Sequence, residues 1–174
     1  MHLFLDRDGV INNRIMAGYV KTPEDFVLIR GVKTAMKKFN RLFDTIVVVT
    51  NQQGIGKGLM TEKDLERVHK KLSAILRKSG GRIDAYYFCP ELASKEKSCR
   101  KPAITMALQA KKDFPEIDFS QSTMVGDSLT DMEFGKRLGM KTVFINKDKK
   151  LIAQAKAAGV DIIVPRLSDF AALL

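Results

Sequence analysis

The chain has 174 residues, a net charge of +10 and a hydrophobic content of 45%. This composition is typical of a globular chain, and the sequence contains no apolar run near the ~20 residues that a membrane-spanning helix needs. The basic charge favours anionic partners, but the lysines are scattered and there is no Trp, so solvated helix faces are a better interpretation than a nucleic-acid surface. Two cysteines are too few for a disulfide framework.

Strands and helices are predicted to alternate along the whole sequence. The predicted strands are 2–6, 45–50, 84–89, 122–126, 141–145 and 161–164, and the predicted helices are 31–42, 62–78, 102–112, 129–137, 149–157 and 167–173. The longest helix is the clearest, because Thr61 is a suitable N-cap and apolar residues follow at the 3.6-residue period. Alternating βα units predict an α/β fold, a doubly wound parallel sheet with helices on both faces. We expect one domain over residues 1–174.

The first predicted strand ends in a pair of aspartates, Asp6 and Asp8, followed by Gly9. Alternate side chains of an extended chain point the same way, so both carboxylates face one side. The carboxyl end of a strand is where open α/β sheets bind ligands. Such a pair suits a nucleophile beside an acid/base, or a divalent metal. The plain alternative is a strand followed by an Asp-Gly turn.

Further polar groups follow later elements of the predicted sheet. The second strand ends at Thr50 and Asn51, whose hydroxyl and amide can donate to phosphate oxygens. Lys101 comes just before a helix, where anions are favoured. Asp127 follows the fourth strand, and Asp131 comes four residues later. Taken singly, Thr50 and Asn51 are equally explained as a polar turn, Lys101 as a surface lysine and Asp127 as a helix N-cap. Their order on successive elements favours one site.

The order of these motifs resembles the haloacid dehalogenase-like hydrolase superfamily. The segments 6–12, 18–20, 50–55 and 99–102 are similar to the histidinol-phosphatase-related branch, and most similar to the D-glycero-D-manno-heptose 1,7-bisphosphate phosphatases. The resemblance implies a Rossmann-like fold and a sugar-phosphate phosphatase, and the motif spacing leaves no room for a separate cap domain. The alternatives are a histidinol-phosphate phosphatase, a polynucleotide 3′-phosphatase-like enzyme and a non-enzymatic binding module.

The resemblance also implies roles for individual residues. Asp6 is expected to be the nucleophile and Asp8 the acid/base. Magnesium is expected to bind Asp6, the main-chain carbonyl of Asp8 and Asp127, with Asp131 as support rather than a ligand. The other expected catalytic residues are Thr50 and Lys101, and the expected substrate contacts are Arg7, Gly18, Tyr19, Asn51, Gln52, Gln53 and Arg100.

The cysteine-containing segment departs from the family that it resembles. Those phosphatases carry Cys-x-His followed by Cys-x-Cys-Arg-Lys-Pro, whereas here Glu91 replaces the His and Lys97 replaces the third Cys. Cys89 and Cys99 alone cannot complete a tetrahedral zinc site of Cys and His ligands. We therefore expect no zinc. Ser128, where some relatives have Lys, leaves the exact sugar open.

The expected partner is a small phosphorylated substrate, with neither nucleic acid nor a membrane as a partner. The predicted first strand begins within two residues of the N-terminus, which leaves no signal peptide. We therefore expect a cytoplasmic protein, and we expect it to be a monomer.

Overall fold

The computed structural model describes residues 1–96 and 98–174. The strands are β1 (His2–Leu5), β2 (Thr45–Asn51), β3 (Ala85–Cys89), β4 (Ser122–Gly126), β5 (Lys141–Ile145) and β6 (Ile162–Val164). The helices are α1 (Val32–Leu42), α2 (Gln53–Gly56), α3 (Glu62–Lys78), α4 (Thr105–Asp113), α5 (Leu129–Arg137), α6 (Lys149–Ala157) and α7 (Leu167–Leu173). None of these described helices combines the length and apolar character needed to cross a membrane.

The six strands form one parallel sheet in the order β3-β2-β1-β4-β5-β6. Helices cover both faces, as the alternation of side chains along β1 shows. Leu3 and Leu5 are buried with apolar residues of α1, α3 and α7. Phe4, between them, is buried with residues of α4 and α5. The predicted doubly wound α/β fold is confirmed.

Strand register brings the site residues to one edge of this sheet. Leu5 of β1 pairs with Val48 of β2 on one side and with Val125 of β4 on the other. The Asp6 amide then donates to the carbonyl of Val125 at 2.9 Å. The polar residues that follow these three strands are therefore neighbours, although they are far apart in sequence.

Two helices differ from their prediction. Residues 53–56 form the short helix α2 inside a segment expected to be a loop, and its glycine-rich sequence has little helix propensity. Long-range hydrogen bonds stabilise this turn. The main-chain N–H of Gln52 donates to Cys89 O at 2.8 Å, and the main-chain N–H of Gly56 donates to Pro90 O at 3.0 Å. Helix α4 begins at Thr105 rather than 102, because a turn from Arg100 to Ala103 precedes it.

Candidate active site

Asp6 lies at the end of β1 in a buried network of charges. The Lys101 ammonium donates to Asp6 Oδ1 at 2.9 Å and to the carbonyl of Val49 at 2.7 Å. The same ammonium lies 2.6 Å from Asp131 Oδ1. All three charged side chains are less than a tenth exposed. One buried cation therefore serves two buried carboxylates, that of Asp6 just after β1 and that of Asp131 in α5.

A second cation, Arg14, lies on the other side of the aspartate cluster. Its guanidinium donates to Asp127 Oδ1 at 2.7 Å and to the main-chain carbonyl of Asp8 at 3.2 Å. Carboxylate oxygens of Asp6, Asp127 and Asp131 all lie within 4.8 Å of one another. Gly9 permits this packing, because a Cβ at Gly9 would lie 1.9 Å from Asp127 Oδ2 and its φ of +90° disfavours other residues.

Burial and mutual repulsion shift the titration of this cluster. Burial raises the pKa of Asp6 to about 6, with Lys101 opposing the rise and Asp131 adding to it. Burial also raises the pKa of Asp127 to about 8, and the charge of Asp6 adds to it. Carboxylates in this condition favour a bound cation, which would restore their ionised forms.

Asp8 has the opposite electrostatic environment. Its carboxylate accepts from Arg7 Nη2 at 2.9 and 3.0 Å, from Asn12 Nδ2 at 2.8 Å and from Gln52 Nε2 at 2.9 Å. Burial alone would raise the pKa of Asp8, but Arg7 and the two amides outweigh it and lower that pKa. The first motif thus holds two aspartates whose pKa values are shifted in opposite directions, that of Asp6 upwards and that of Asp8 downwards.

The structure does not support Arg7 as a substrate contact. Its side chain is 0% exposed and points away from the cleft, into contact with Asp8 and with His69 of α3. The prediction was wrong because Arg7 lies between two cleft-facing aspartates, where alternation turns its side chain to the opposite face. Arg7 instead donates hydrogen bonds to the Asp8 carboxylate from the buried side.

A cleft of about 540 Å³ opens over Asp6 and Asp8. It is lined by the two other expected catalytic residues, Thr50 of β2 and Lys101 in the turn before α4, and by the expected substrate contacts Gly18, Tyr19, Asn51, Gln52, Gln53 and Arg100. Two of these amides are already engaged with protein groups. Asn51 Oδ1 accepts from the Lys101 amide at 3.0 Å, and Gln52 Nε2 also donates to Thr50 Oγ1 at 2.9 Å. These two side chains therefore orient the main chain of Lys101 and the hydroxyl of Thr50.

The cleft is also lined by two cations that the sequence motifs did not indicate, Arg14 and Lys57. Both belong to long connections without a motif spacing of their own. The ammonium of Lys57 lies 5.6 Å from the centre of the Tyr19 ring. The only available signal was the length of those connections, because long loops at this edge of an α/β sheet tend to carry function.

The cysteine-containing segment returns to the end of β3. Cys89 and Cys99 form a disulfide with a Cα–Cα distance of 5.6 Å, which the cysteine count did not predict. Glu91 lies beside them, and its carboxylate accepts from the Cys99 amide at 2.8 Å. One ligand atom from each of these three residues would fall within 4.8 Å of the others. Lys97, expected in place of a third cysteine ligand, lies outside the described residues.

Known proteins resemble this chain over most of its length. The family model described as polynucleotide kinase 3 phosphatase matches residues 3–166. A D-glycero-alpha-D-manno-heptose-1,7-bisphosphate 7-phosphatase of Mycobacterium bovis is 41% identical over 131 residues, which are 75% of this chain and 69% of the relative. A D-glycero-beta-D-manno-heptose-1,7-bisphosphate 7-phosphatase of Vibrio cholerae is 34% identical over 174 aligned residues, covering 96% of this chain and 92% of the relative.

Solved structures show the same similarity. The crystal structure of D,D-heptose 1.7-bisphosphate phosphatase from B. bronchiseptica, complexed with magnesium and phosphate, matches with a TM-score of 0.87. Its sequence is 28% identical, and the match covers 99% of this chain and 96% of that one.

Proposed function

Since this chain belongs to the haloacid dehalogenase-like phosphatases, we propose that it removes the 7-phosphate from a heptose 1,7-bisphosphate. Its activity class is phosphoric monoester hydrolysis, which its relatives share. The observation that carries the choice of a bisphosphate is the number of cations in the cleft. Arg14, Lys57, Arg100 and Lys101 all line it, more positive groups than one phosphoryl group requires.

In this proposal Asp6 attacks the phosphorus atom of the substrate. The bond from phosphorus to the sugar oxygen breaks as the bond to Asp6 forms, which gives an aspartyl-phosphate. Asp8 gives a proton to the departing oxygen and then takes one from the water that hydrolyses the aspartyl-phosphate. Its resting pKa is low, and the arriving phosphate dianion raises it by adding negative charge nearby. Lys101 and the Thr50 hydroxyl hold the phosphoryl oxygens.

The donor set at the sheet edge fits a magnesium ion. Hard divalent cations prefer oxygen ligands, and here the carboxylates of Asp6, Asp127 and Asp131 cluster, while Arg14 contacts both Asp127 and the main-chain carbonyl of Asp8. The Arg14 guanidinium contacts Asp127 Oδ1 and Asp8 O, so a positive group is favoured at these two atoms. We assign Asp6, the Asp8 carbonyl and Asp127 as the ligands. When bound, the ion would supply charge neutralisation and help to position the phosphate.

The proposed function is tested by substrate comparison. Phosphate release is measured with the α and β anomers of the heptose bisphosphate, with histidinol phosphate and with a 3′-phosphorylated oligonucleotide, each with Mg²⁺ and after its chelation. We expect the largest kcat/KM for a heptose bisphosphate, and loss of turnover on chelation. Preference for the oligonucleotide, with turnover falling steeply as salt rises, would overturn the proposal and favour an enzyme of nucleic-acid ends.

Arg100 is expected to act in recognition rather than chemistry. Its guanidinium lines the cleft and is held by one donation to the carbonyl of Glu91 at 3.3 Å, which leaves donors for a sugar hydroxyl or a second phosphate. Arg100→Ala should lower kcat/KM for the heptose bisphosphate about 10–100-fold, as expected for a lost charge-assisted contact. Hydrolysis of p-nitrophenyl phosphate should change little, because that ester offers Arg100 nothing to hold.

The comparison is made by steady-state kinetics on both esters. Lys57→Ala is the matched variant, since it also removes one cation from the cleft wall. Equal losses on the two esters in Arg100→Ala would place Arg100 in the catalytic set and contradict the prediction.

We also propose that the purified protein holds less than one zinc ion per chain. Cys89 and Cys99 are bonded to each other, and Glu91 is the one further ligand type beside them in the described part of the chain. Metal analysis is done on protein purified with and without a thiol reductant, followed by a melting curve with a zinc chelator. We expect no stoichiometric zinc and no change in Tm. About one zinc per chain, lost in a Cys99→Ser variant, would show that Cys99 is a zinc ligand and would contradict this proposal.

The expectations of a single domain without a cap, a monomer and a cytoplasmic location stay predictions. The size of the protein in solution, measured by light scattering, tests the second of them.

A further inference from the structure

Arg7 is the largest fully buried polar side chain of the described residues. Its Nη2 donates to both carboxylate oxygens of Asp8, and its Nε lies 3.3 Å from Oδ1. Its other terminal nitrogen, Nη1, lies 3.4 Å from Nε2 of His69. A buried guanidinium needs acceptors for its protons, and its orientation depends on where those acceptors lie. His69 therefore supplies the contact on the side of Arg7 opposite Asp8.

His69 is suited to accept rather than donate. Burial, together with the positive charge of Arg7, lowers the pKa of His69 to about 3, with the charge of Asp8 opposing the shift. The imidazole is thus neutral at physiological pH, with a lone pair available at Nε2 facing the guanidinium. A protonated ring would place two cations in contact inside the protein.

The imidazole is itself held in place by β3. Its ring stacks on Tyr86 with centroids 4.2 Å apart and an interplanar angle of 13°. The Tyr86 hydroxyl lies 2.8 Å from Ser73 Oγ on α3, which fixes the tyrosine in turn. Tyr86 and His69 line a groove of about 810 Å³ between α3 and the edge strand, and none of the aspartates of the cleft lies in it. A continuous line of contacts thus runs from this groove through His69 and Arg7 to Asp8.

We propose that His69 is a positioning residue for the acid–base step, acting through Arg7 to hold the Asp8 carboxylate towards the leaving oxygen. The inference rests on the proposed role of Asp8. Its distinctive consequence is that the loss of rate on replacing His69 depends on the leaving group of the ester. An alkoxide leaving group needs a proton from Asp8, whereas p-nitrophenolate leaves without one. Simple loss of packing at His69 would lower both rates together.

The experiment compares His69→Leu and His69→Gln. Leucine removes the acceptor, whereas the glutamine oxygen can occupy the place of Nε2. The measured quantity is kcat/KM, because it reports the steps up to transfer of the phosphoryl group to Asp6. The substrates are the heptose bisphosphate, ethyl phosphate and p-nitrophenyl phosphate. Ethyl phosphate has an alkoxide leaving group but no sugar. It therefore tests the role of His69 even if the proposed heptose substrate is incorrect.

We expect His69→Leu to lower kcat/KM about tenfold for both alkyl esters and about twofold or less for p-nitrophenyl phosphate. His69→Gln should restore most of the loss. The matched control is His2→Leu, because His2 is 6% exposed and His69 is 7% exposed, and His2 lies at the opposite end of β1 from Asp6. It should leave the ratio of the esters unchanged.

Equal losses on all three esters, no loss in His69→Leu, or no recovery in His69→Gln would each overturn the proposal. If His69→Leu does not fold, His69→Asn replaces it, because its shorter side chain keeps polarity without reaching Nη1. If the heptose bisphosphate is not hydrolysed by the unaltered protein, the proposed substrate fails. The ratio between ethyl and p-nitrophenyl phosphate still decides the role of His69.

Discussion

Asp6→Asn is expected to abolish turnover and leave the fold intact. The amide keeps the shape of the carboxylate, but it cannot form the bond to phosphorus. Lys101 keeps its ion pair with Asp131 and its bond to Val49 O in the variant, so the buried ammonium stays satisfied. Loss of a nucleophile that acts together with its partners costs at least about 10³-fold in kcat.

The measurement is kcat with Mg²⁺ on any accepted phosphate ester, together with a search for the aspartyl-phosphate by mass spectrometry after acid quenching. Asp44→Asn makes the same chemical change at an exposed aspartate beside the N-terminus and should leave kcat unchanged. A folded Asp6→Asn protein with turnover within about tenfold of the unaltered enzyme would exclude Asp6 as the nucleophile.

Lys101→Met is expected to damage both stability and catalysis. The methionine has a similar length but no charge, so the buried carboxylates of Asp6 and Asp131 lose their shared cation. Removing one partner of a buried ion pair is strongly destabilising, so we expect the free energy of unfolding to fall by about 3–5 kcal/mol. Because the ammonium also faces the phosphoryl group in the proposed mechanism, we expect kcat/KM to fall by about 10²–10³-fold.

Urea unfolding gives the first quantity, and steady-state kinetics on two esters gives the second. The loss should be equal for the heptose bisphosphate and p-nitrophenyl phosphate, because both carry the phosphoryl group that Lys101 holds. A loss confined to the larger substrate would move Lys101 to sugar recognition. An unfolding free energy unchanged within error would show that the two carboxylates do not depend on its charge.

Much of the fold could be predicted because it depends on local patterns. The six strands follow from short apolar runs, and parallel pairing places the residues after them at one sheet edge. Asp6, Thr50, Lys101 and Asp127 could therefore be grouped before any distance was known. Helix α2 could not be predicted, because its sequence has little helix propensity. Main-chain hydrogen bonds to the carbonyls of residues 89 and 90 stabilise it.

The supporting parts of the site depend on contacts that no local pattern reports. His69 lies on the buried side of an ordinary amphipathic helix, where it is indistinguishable in sequence from any other core residue. Its contact with Arg7 depends on how α3 packs on the sheet. The direction of Arg7 could have been predicted from alternation alone, because it lies between two residues that face the cleft.

The contact of Arg14 with Asp127 and Asp8 has a thermodynamic consequence for the proposed magnesium site. A guanidinium and a divalent ion repel each other at this short range, so the two bind in competition at these two oxygen atoms. The apparent affinity for the ion equals its intrinsic affinity multiplied by the fraction of molecules in which Arg14 has left. Linkage also works in reverse, because a bound ion frees this side chain for an anionic ligand in the cleft. Metal loading and substrate capture are then coupled through one residue, without any change in the sheet.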